Sequence, residues 1–163
     1  MPGTFFGPYN EQYATYAEPA GGNTGRWPLG HRLTLPDGRT YDFALNDGTV
    51  EVAGNLYQSV AREANHLNLT PDVARAIDAV VMSATLGATL AAIDIYSEGI
   101  IHVNVTPGVG YAYRIRRARA NGDAHAAVAS SGIITVNLES GEKVQVATTT
   151  TSRFSLTRNR YHQ

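Results

Sequence analysis

Short runs of alternating apolar and polar residues, separated by turn signals, constrain the fold of this chain more than any other feature. In residues 99–105 the apolar side chains of Ile101, Val103 and Val105 recur at every second position. A Thr-Pro-Gly turn follows, and residues 110–116 alternate again. A period of two is typical of a half-buried antiparallel strand. We therefore predict a β-hairpin over residues 99–116.

The same pattern predicts two further hairpins. Residues 31–35 and 39–44 flank a Pro-Asp-Gly turn, and residues 132–138 and 143–147 flank a Glu-Ser-Gly-Glu turn. Residues 153–157 form one more short run. Strands that recur about every ten residues are typical of all-β folds. We expect an all-β barrel or sandwich of about nine to eleven short antiparallel strands.

Residues 62–92 allow two interpretations. The sequence Thr70-Pro71-Asp72 is a good helix start, because Thr caps helix N-termini and Pro is favoured at the first helical position. A strand near residues 79–86 would instead place Val80, Met82 and Ala84 on one face. We predict one short turn of helix followed by a strand.

Residues 1–26 differ in composition from the rest of the chain. They contain three Pro and five Gly, which oppose helix and central strand. Their five aromatic residues are too many for a solvated tail. We predict an extended N-terminal arm over residues 1–26 and a β domain over residues 27–163, with docking of the arm on its own domain as the alternative. The arm and its junction supply these candidate partner-binding residues: Phe5, Phe6, Tyr9, Tyr13, Tyr16 and Trp27.

Composition bounds the function of the 163-residue chain. Only 17% of residues are charged and the net charge is −1, so no overall positive field would attract nucleic acid. Cysteine is absent, which excludes disulfides, thiol catalysis and Cys-type zinc sites. The N-terminal sequence lacks the features of a secretion signal, and no apolar run reaches the length of a membrane span. We expect synthesis in a cytoplasm and no membrane partner.

No pattern in the sequence predicts catalysis, a cofactor or a metal site. The five His residues show no spacing that would place two imidazoles on one metal. Most Asp residues lie in turns, where Asp is favoured by its bonds to nearby backbone. The sequence therefore predicts a non-enzymatic protein that binds other proteins.

The densest charge feature is the stretch RIRRAR at residues 114–119. Strand alternation would place Arg114 and Arg116 on one face, and Arg117 and Arg119 on the other. This split ridge suits pairing with carboxylates across a subunit boundary, which forked guanidinium groups do well. Contact with nucleic acid is a weaker alternative, and a solvated strand edge protected by charge is another.

Three segments together resemble one group of proteins. They are residues 35–59 (LPDGRTYDFALNDGTVEVAGNLYQS), 96–117 (YSEGIIHVNVTPGVGYAYRIRR) and 134–162 (ITVNLESGEKVQVATTTTSRFSLTRNRYH). In this order they resemble the capsid decoration or cement proteins encoded among the head genes of tailed bacteriophages. The resemblance implies a virion protein that binds the outside of the capsid shell, commonly as a trimer, and clamps neighbouring major capsid protein subunits. A head-to-tail connector or tail component, and a carbohydrate-binding virion domain, are the alternatives.

Overall fold

The computed structural model describes residues 28–34, 38, 40–44, 58, 60–119 and 122–162. These residues form eight strands and one 3-10 turn. The strands are β1 (Arg32–Thr34), β2 (Thr40–Asp42), β3 (Thr70–Pro71), β4 (Val81–Thr85), β5 (Ile100–Val105), β6 (Ala112–Arg114), β7 (Ile133–Asn137) and β8 (Arg153–Thr157), and the 3-10 turn covers Ala64–His66. Among the described residues no helix is long and apolar enough to cross a membrane.

Six of the strands build two three-stranded antiparallel sheets, ordered β3-β4-β7 and β6-β5-β8. In the second sheet Ile101 on β5 lies between Tyr113 on β6 and Leu156 on β8, and all three are buried. Strands β1 and β2 form a separate two-stranded ribbon. Buried and less buried residues alternate in β5, β6 and β7, as expected for a period of two, whereas β4 and β8 each bury three consecutive residues.

Two single bridges connect the sheets. Leu69, just before β3, exchanges two backbone hydrogen bonds with Phe154 on β8, at 2.7 and 3.0 Å. Ile115, just after β6, is bridged to Leu138, just after β7. The buried apolar residues of both sheets form one core cluster, whose largest members are Tyr96, Tyr113, Phe154, Met82, Ile101, Ile115, Ile134 and Leu156. Burial in this shared core is the main favourable contribution to folding.

The expected barrel or sandwich of nine to eleven strands is wrong. The described residues contain eight strands, and neither three-stranded sheet closes on itself. Residues 143–147, expected to be a strand, do not form one. They make isolated hydrogen bonds instead of a strand ladder, such as the 2.9 Å bond from the backbone N–H of Val144 to the carbonyl of Ala79. Asp78, with φ of +67°, interrupts the partner segment, so no continuous ladder forms there.

The expected helix at residues 70–72 is also wrong. Thr70 pairs with Thr85 and Pro71 with Ala84, so this segment is the edge strand β3. An edge position tolerates Pro, because its missing N–H would face away from the sheet. Pairing with β4 has overridden the local preference for a helix start. The strand predicted to follow is present as β4, in which Met82 and Ala84 are buried while Val80 precedes the strand and is exposed.

Two of the three predicted hairpins are confirmed. Strands β5 and β6 pair antiparallel, and so do β1 and β2. The third hairpin is wrong in its partner, because β7 pairs with β4 instead of with residues 143–147. The proposed boundary between an arm and a β domain at residue 26 lies outside the described residues.

Candidate interaction surface

The arginines of residues 114–119 take two different positions. Tyr113 and Ile115 are buried, so the alternating Arg114 and Arg116 project from β6 and its extension toward solvent. The side chain of Arg119 is also exposed, while its backbone N–H donates to Asp123 Oδ2 at 3.0 Å. Three of the four predicted partner-binding arginines are therefore accessible.

Arg117 is turned inward. Its Nε lies 3.1 Å from Glu98 Oε1, and only 15% of the Arg117 side chain and 2% of the Glu98 side chain are exposed. The other carboxylate oxygen of Glu98 accepts the backbone N–H of Leu29 at 2.7 Å. Burial raises the pKa of Glu98, while the Leu29 N–H and the Arg117 charge act in the opposite direction. This ion pair holds residue 29 against the sheets.

The turn between β5 and β6 carries apolar side chains that the core does not cover. We call Val105, Val109 and Tyr111 the hairpin tip; they are 41%, 56% and 42% exposed. The ring of Tyr111 stacks on buried Tyr113, with centroids 6.2 Å apart and planes 12° apart. The apolar side of this hairpin therefore continues beyond the core and ends in solvent.

Backbone bonds hold the hairpin tip in one shape. The N–H of Gly110 donates to the carbonyl of Val103, and the N–H of Val103 donates to the carbonyl of Tyr111. With Gly110 at φ of +88°, this is a bulge of the type that begins with a left-handed glycine. On the other side of the turn, the hydroxyl of Ser152 donates to the carbonyl of Pro107 at 2.9 Å.

A cleft of about 260 Å³ lies at the end of β8. Its lining combines three guanidinium groups, one carboxylate and apolar side chains. The lining residues are Val60, Ala61, Arg62, Glu63, Tyr96, Leu156, Thr157, Arg158, Asn159 and Arg160. Among the described residues that line the cleft, Glu63 is the single carboxylate, so they do not supply the two facing carboxylates that glycoside hydrolysis needs.

Beneath the cleft, a chain of buried polar groups enters the core. The hydroxyl of Tyr96 donates to Nδ1 of His66, and Nε2 of His66 donates to the carbonyl of Thr89 at 2.9 Å. This tautomer follows because a carbonyl can only accept. Desolvation raises the pKa of Tyr96 to about 12, against an opposing effect of the charge and hydrogen bond of Arg158. Tyr96 is therefore neutral at physiological pH.

His125 continues this polar chain on the other side of Tyr96. Its Nε2 accepts the backbone N–H of Tyr96 at 3.2 Å, and its Nδ1 donates to the carbonyl of Ala126 at 2.8 Å. Desolvation lowers the pKa of His125. His66 and His125 are thus structural, and the described residues contain no group of three His, Asp or Glu side chains that could hold a metal.

No family model, curated protein or solved structure matches this chain. The resemblance to capsid decoration proteins therefore stays a prediction.

Some residues of this candidate surface were also candidates from the sequence, and their role in binding stays a prediction. Sequence reasoning identified Arg114, Arg116 and Arg119, while the aromatic candidates Phe5, Phe6, Tyr9, Tyr13, Tyr16 and Trp27 lie outside the described residues. It missed the hairpin tip, because Val105 was assigned to the buried face of its strand. It also missed the cleft, since Arg62 and Arg158 are distant in sequence and no spacing rule connects them.

Proposed function

We propose that this chain is a non-enzymatic structural protein of a tailed-bacteriophage virion, which binds the capsid shell as a decoration or cement protein. The observation that carries the proposal is the exposed apolar hairpin tip formed by Val105, Val109 and Tyr111. Contiguous exposed apolar side chains are typical of surfaces that bind other proteins. Binding only to assembled shells would add free energy to the shell by mass action.

The shape of the tip supports a binding role. Gly110, the Tyr111–Tyr113 stack and the Ser152 hydroxyl order the turn within the chain itself. An ordered apolar surface loses little conformational entropy on association, which favours affinity. Tyrosine is also among the residues most enriched at the energetic centres of interfaces.

The exposed arginines support the same proposal. Arg114 lies at the end of β6, the strand that follows the tip, and Arg116 and Arg119 come after it. Guanidinium groups bind carboxylates through two parallel hydrogen bonds, so acidic residues of a major capsid protein would be suitable partners. Because a homotrimer repeats every contact three times, modest contacts would give strong overall attachment.

Sedimentation with purified capsid shells tests this proposal. The wild-type chain should sediment with the shells, and the double substitution Val109→Ser with Tyr111→Ser should lower occupancy by about tenfold or more. Ile77→Ser is the matched control, since Ile77 is 58% exposed but lies outside the tip. A wild-type chain that stays in the supernatant, or a tip variant that binds like wild type, would contradict the proposal.

Copy number separates decoration from the connector or tail alternative. A decoration protein should be present in hundreds of copies per particle, since it follows the capsid lattice. A connector or tail ring should be present in a dozen or fewer copies. Quantitative mass spectrometry of purified particles measures this number directly.

A further inference from the structure

The cleft at the end of β8 brings together three arginines from two distant parts of the chain. Arg62 lies just before the 3-10 turn, and Arg158 and Arg160 follow β8. Three guanidinium groups around about 260 Å³ create a strongly positive local site in a chain of net charge −1. Such focused charge attracts an anionic group.

Two of these arginines have unused hydrogen-bonding capacity. Nε of Arg158 is buried and has no hydrogen-bond partner. Arg62 is exposed and makes no hydrogen bond or ion pair to the residues that the structure describes. Arg160 differs, because its Nη2 donates to Tyr161 Oη at 2.5 Å and its guanidinium lies 4.6 Å from the centre of that ring. A buried donor without a partner is costly, and a bound acceptor would remove that cost.

Among the described residues, Glu63 makes no direct ion pair with Arg62 or with Arg158, whose guanidinium also contacts the Tyr96 side chain. Its Oε1 accepts the backbone N–H of Asn65 at 3.3 Å and the hydroxyl of Thr89 at 3.2 Å. The hydrogen bond from the Asn65 backbone is the main reason that its pKa is lowered. The carboxylate of Glu63 therefore caps the 3-10 turn, and the arginine side of the cleft stays positive.

The apolar walls of the cleft set a second requirement for its ligand. Val60, Ala61 and Leu156 contribute apolar surface beside the arginines. A bare phosphate would leave this apolar surface unused, whereas a carboxylate on a hydrocarbon stem would contact both parts. Sites that combine apolar walls with a few placed polar groups are typical of specific binding pockets.

We infer that this cleft binds a carboxylate carried on an apolar stem, as in a glutamate side chain or the C-terminus of a partner protein. The claim that a capsid subunit supplies this carboxylate rests on the proposed function. The chemical preference of the cleft does not, since it depends only on Arg62, Arg158 and their apolar neighbours.

The test uses the purified full-length chain and small probes. Butyrate supplies a carboxylate on an apolar stem, butyramide is its uncharged counterpart, and inorganic phosphate is the anion without a stem. Binding is followed by NMR, through the arginine Nε–H signals and the backbone signals of residues 60–62. Butyrate should shift the Arg62 and Arg158 signals saturably, while butyramide should not and phosphate should bind several-fold more weakly.

Two variants and a control make the assignment specific. Arg62→Gln should weaken butyrate binding by about fivefold or more, and this exposed side chain can be changed without disturbing the core. Arg158→Gln should have an equal or larger effect. Lys143→Gln is the control, since Lys143 is an exposed cation that does not line the cleft, and this variant should bind butyrate like wild type.

Several results would overturn the inference. These are equal shifts with butyrate and butyramide, tighter binding of phosphate than of butyrate, or unchanged butyrate binding by Arg62→Gln. Failure to bind capsid shells, together with normal butyrate binding, would instead refute the proposed function and leave the carboxylate site standing.

Discussion

Nε2 of His125 accepts the backbone N–H of Tyr96 at 3.2 Å inside the core. Nδ1 of the same ring donates to the carbonyl of Ala126 and so already carries a proton, which means that protonation of Nε2 would break the bond from the Tyr96 N–H. This one contact connects the polar chain below the cleft to residues 124–126, and it makes the fold sensitive to acid.

The first prediction is that stability falls below about pH 6.5, the ordinary value for an unfolded imidazole. The lowered pKa of His125 means that the unfolded chain binds more protons than the folded chain in this range, so stability is present above pH 6.5 and is lost as pH falls. Urea unfolding between pH 8 and pH 5 measures the slope of the unfolding free energy against pH.

His125→Gln should flatten that slope, because glutamine can still accept the Tyr96 N–H but does not titrate. His102→Gln is the comparison, since the pKa of His102 is also lowered by burial but its side chain is only half-buried. An identical slope in wild type and His125→Gln would refute the assignment.

The second prediction concerns the ion pair of Glu98 and Arg117. Glu98→Gln removes the buried carboxylate that pairs with the largely buried Arg117 and should lower the free energy of unfolding by about 3 kcal/mol. The measurement is chemical denaturation at neutral pH. Arg32→Gln removes an exposed ion pair to Asp42 and should change stability little, because solvent screens that pair. Equal losses of unfolding free energy in the two variants would show that burial does not make the Glu98 ion pair more important for stability than an exposed pair.

The third prediction compares two glycines. A Cβ on Gly99 would collide with the carbonyl of Thr157 and lie 2.9 Å from the carbonyl of Tyr96, both of which are backbone atoms. A Cβ on Gly110 would meet open space, so only its φ of +88° opposes alanine there. Gly99→Ala should therefore lower the melting temperature more than Gly110→Ala, whose cost is about 1–2 kcal/mol. The reverse order in thermal unfolding would contradict this packing.

The fourth prediction tests the polar chain below the cleft. Tyr96→Phe leaves Nδ1 of His66 buried without its donor and should cost about 1–3 kcal/mol. Tyr111→Phe removes a hydroxyl from an exposed ring and serves as the control, with little expected change. Denaturant midpoints of the two variants give the comparison, and equal midpoints would exclude the His66 bond as a stabilising contact.

Local alternation predicted the strands that form hairpins. Residues 99–116 alternate, and Ile101, Val103 and Tyr113 are buried as expected. Hairpin partners are close in sequence, so their pairing closes only a short loop and a local pattern is enough to predict it. The same reasoning failed for β7, whose partner β4 is about fifty residues earlier in the chain.

For the candidate site as well, alternation predicted some features and missed others. Alternation predicted that Arg114 and Arg116 share one face, and both side chains are exposed, although β6 ends at Arg114. It could not predict that Arg117 turns inward, because Glu98 approaches from another loop. It also could not predict that Arg62, Arg158 and Arg160 line one cleft, since Arg62 is distant in sequence from the other two and only the tertiary structure brings them together.

By itself the sequence determined that the chain is rich in short antiparallel strands, lacks cysteine chemistry and carries four arginines within residues 114–119. Only the tertiary structure decided the number of strands, the edge position of Pro71, the exposure of the hairpin tip and the composition of the cleft. The physical reason is that short strands have weak intrinsic preferences, so burial in the shared core selects their partners and determines which side chains stay in solvent.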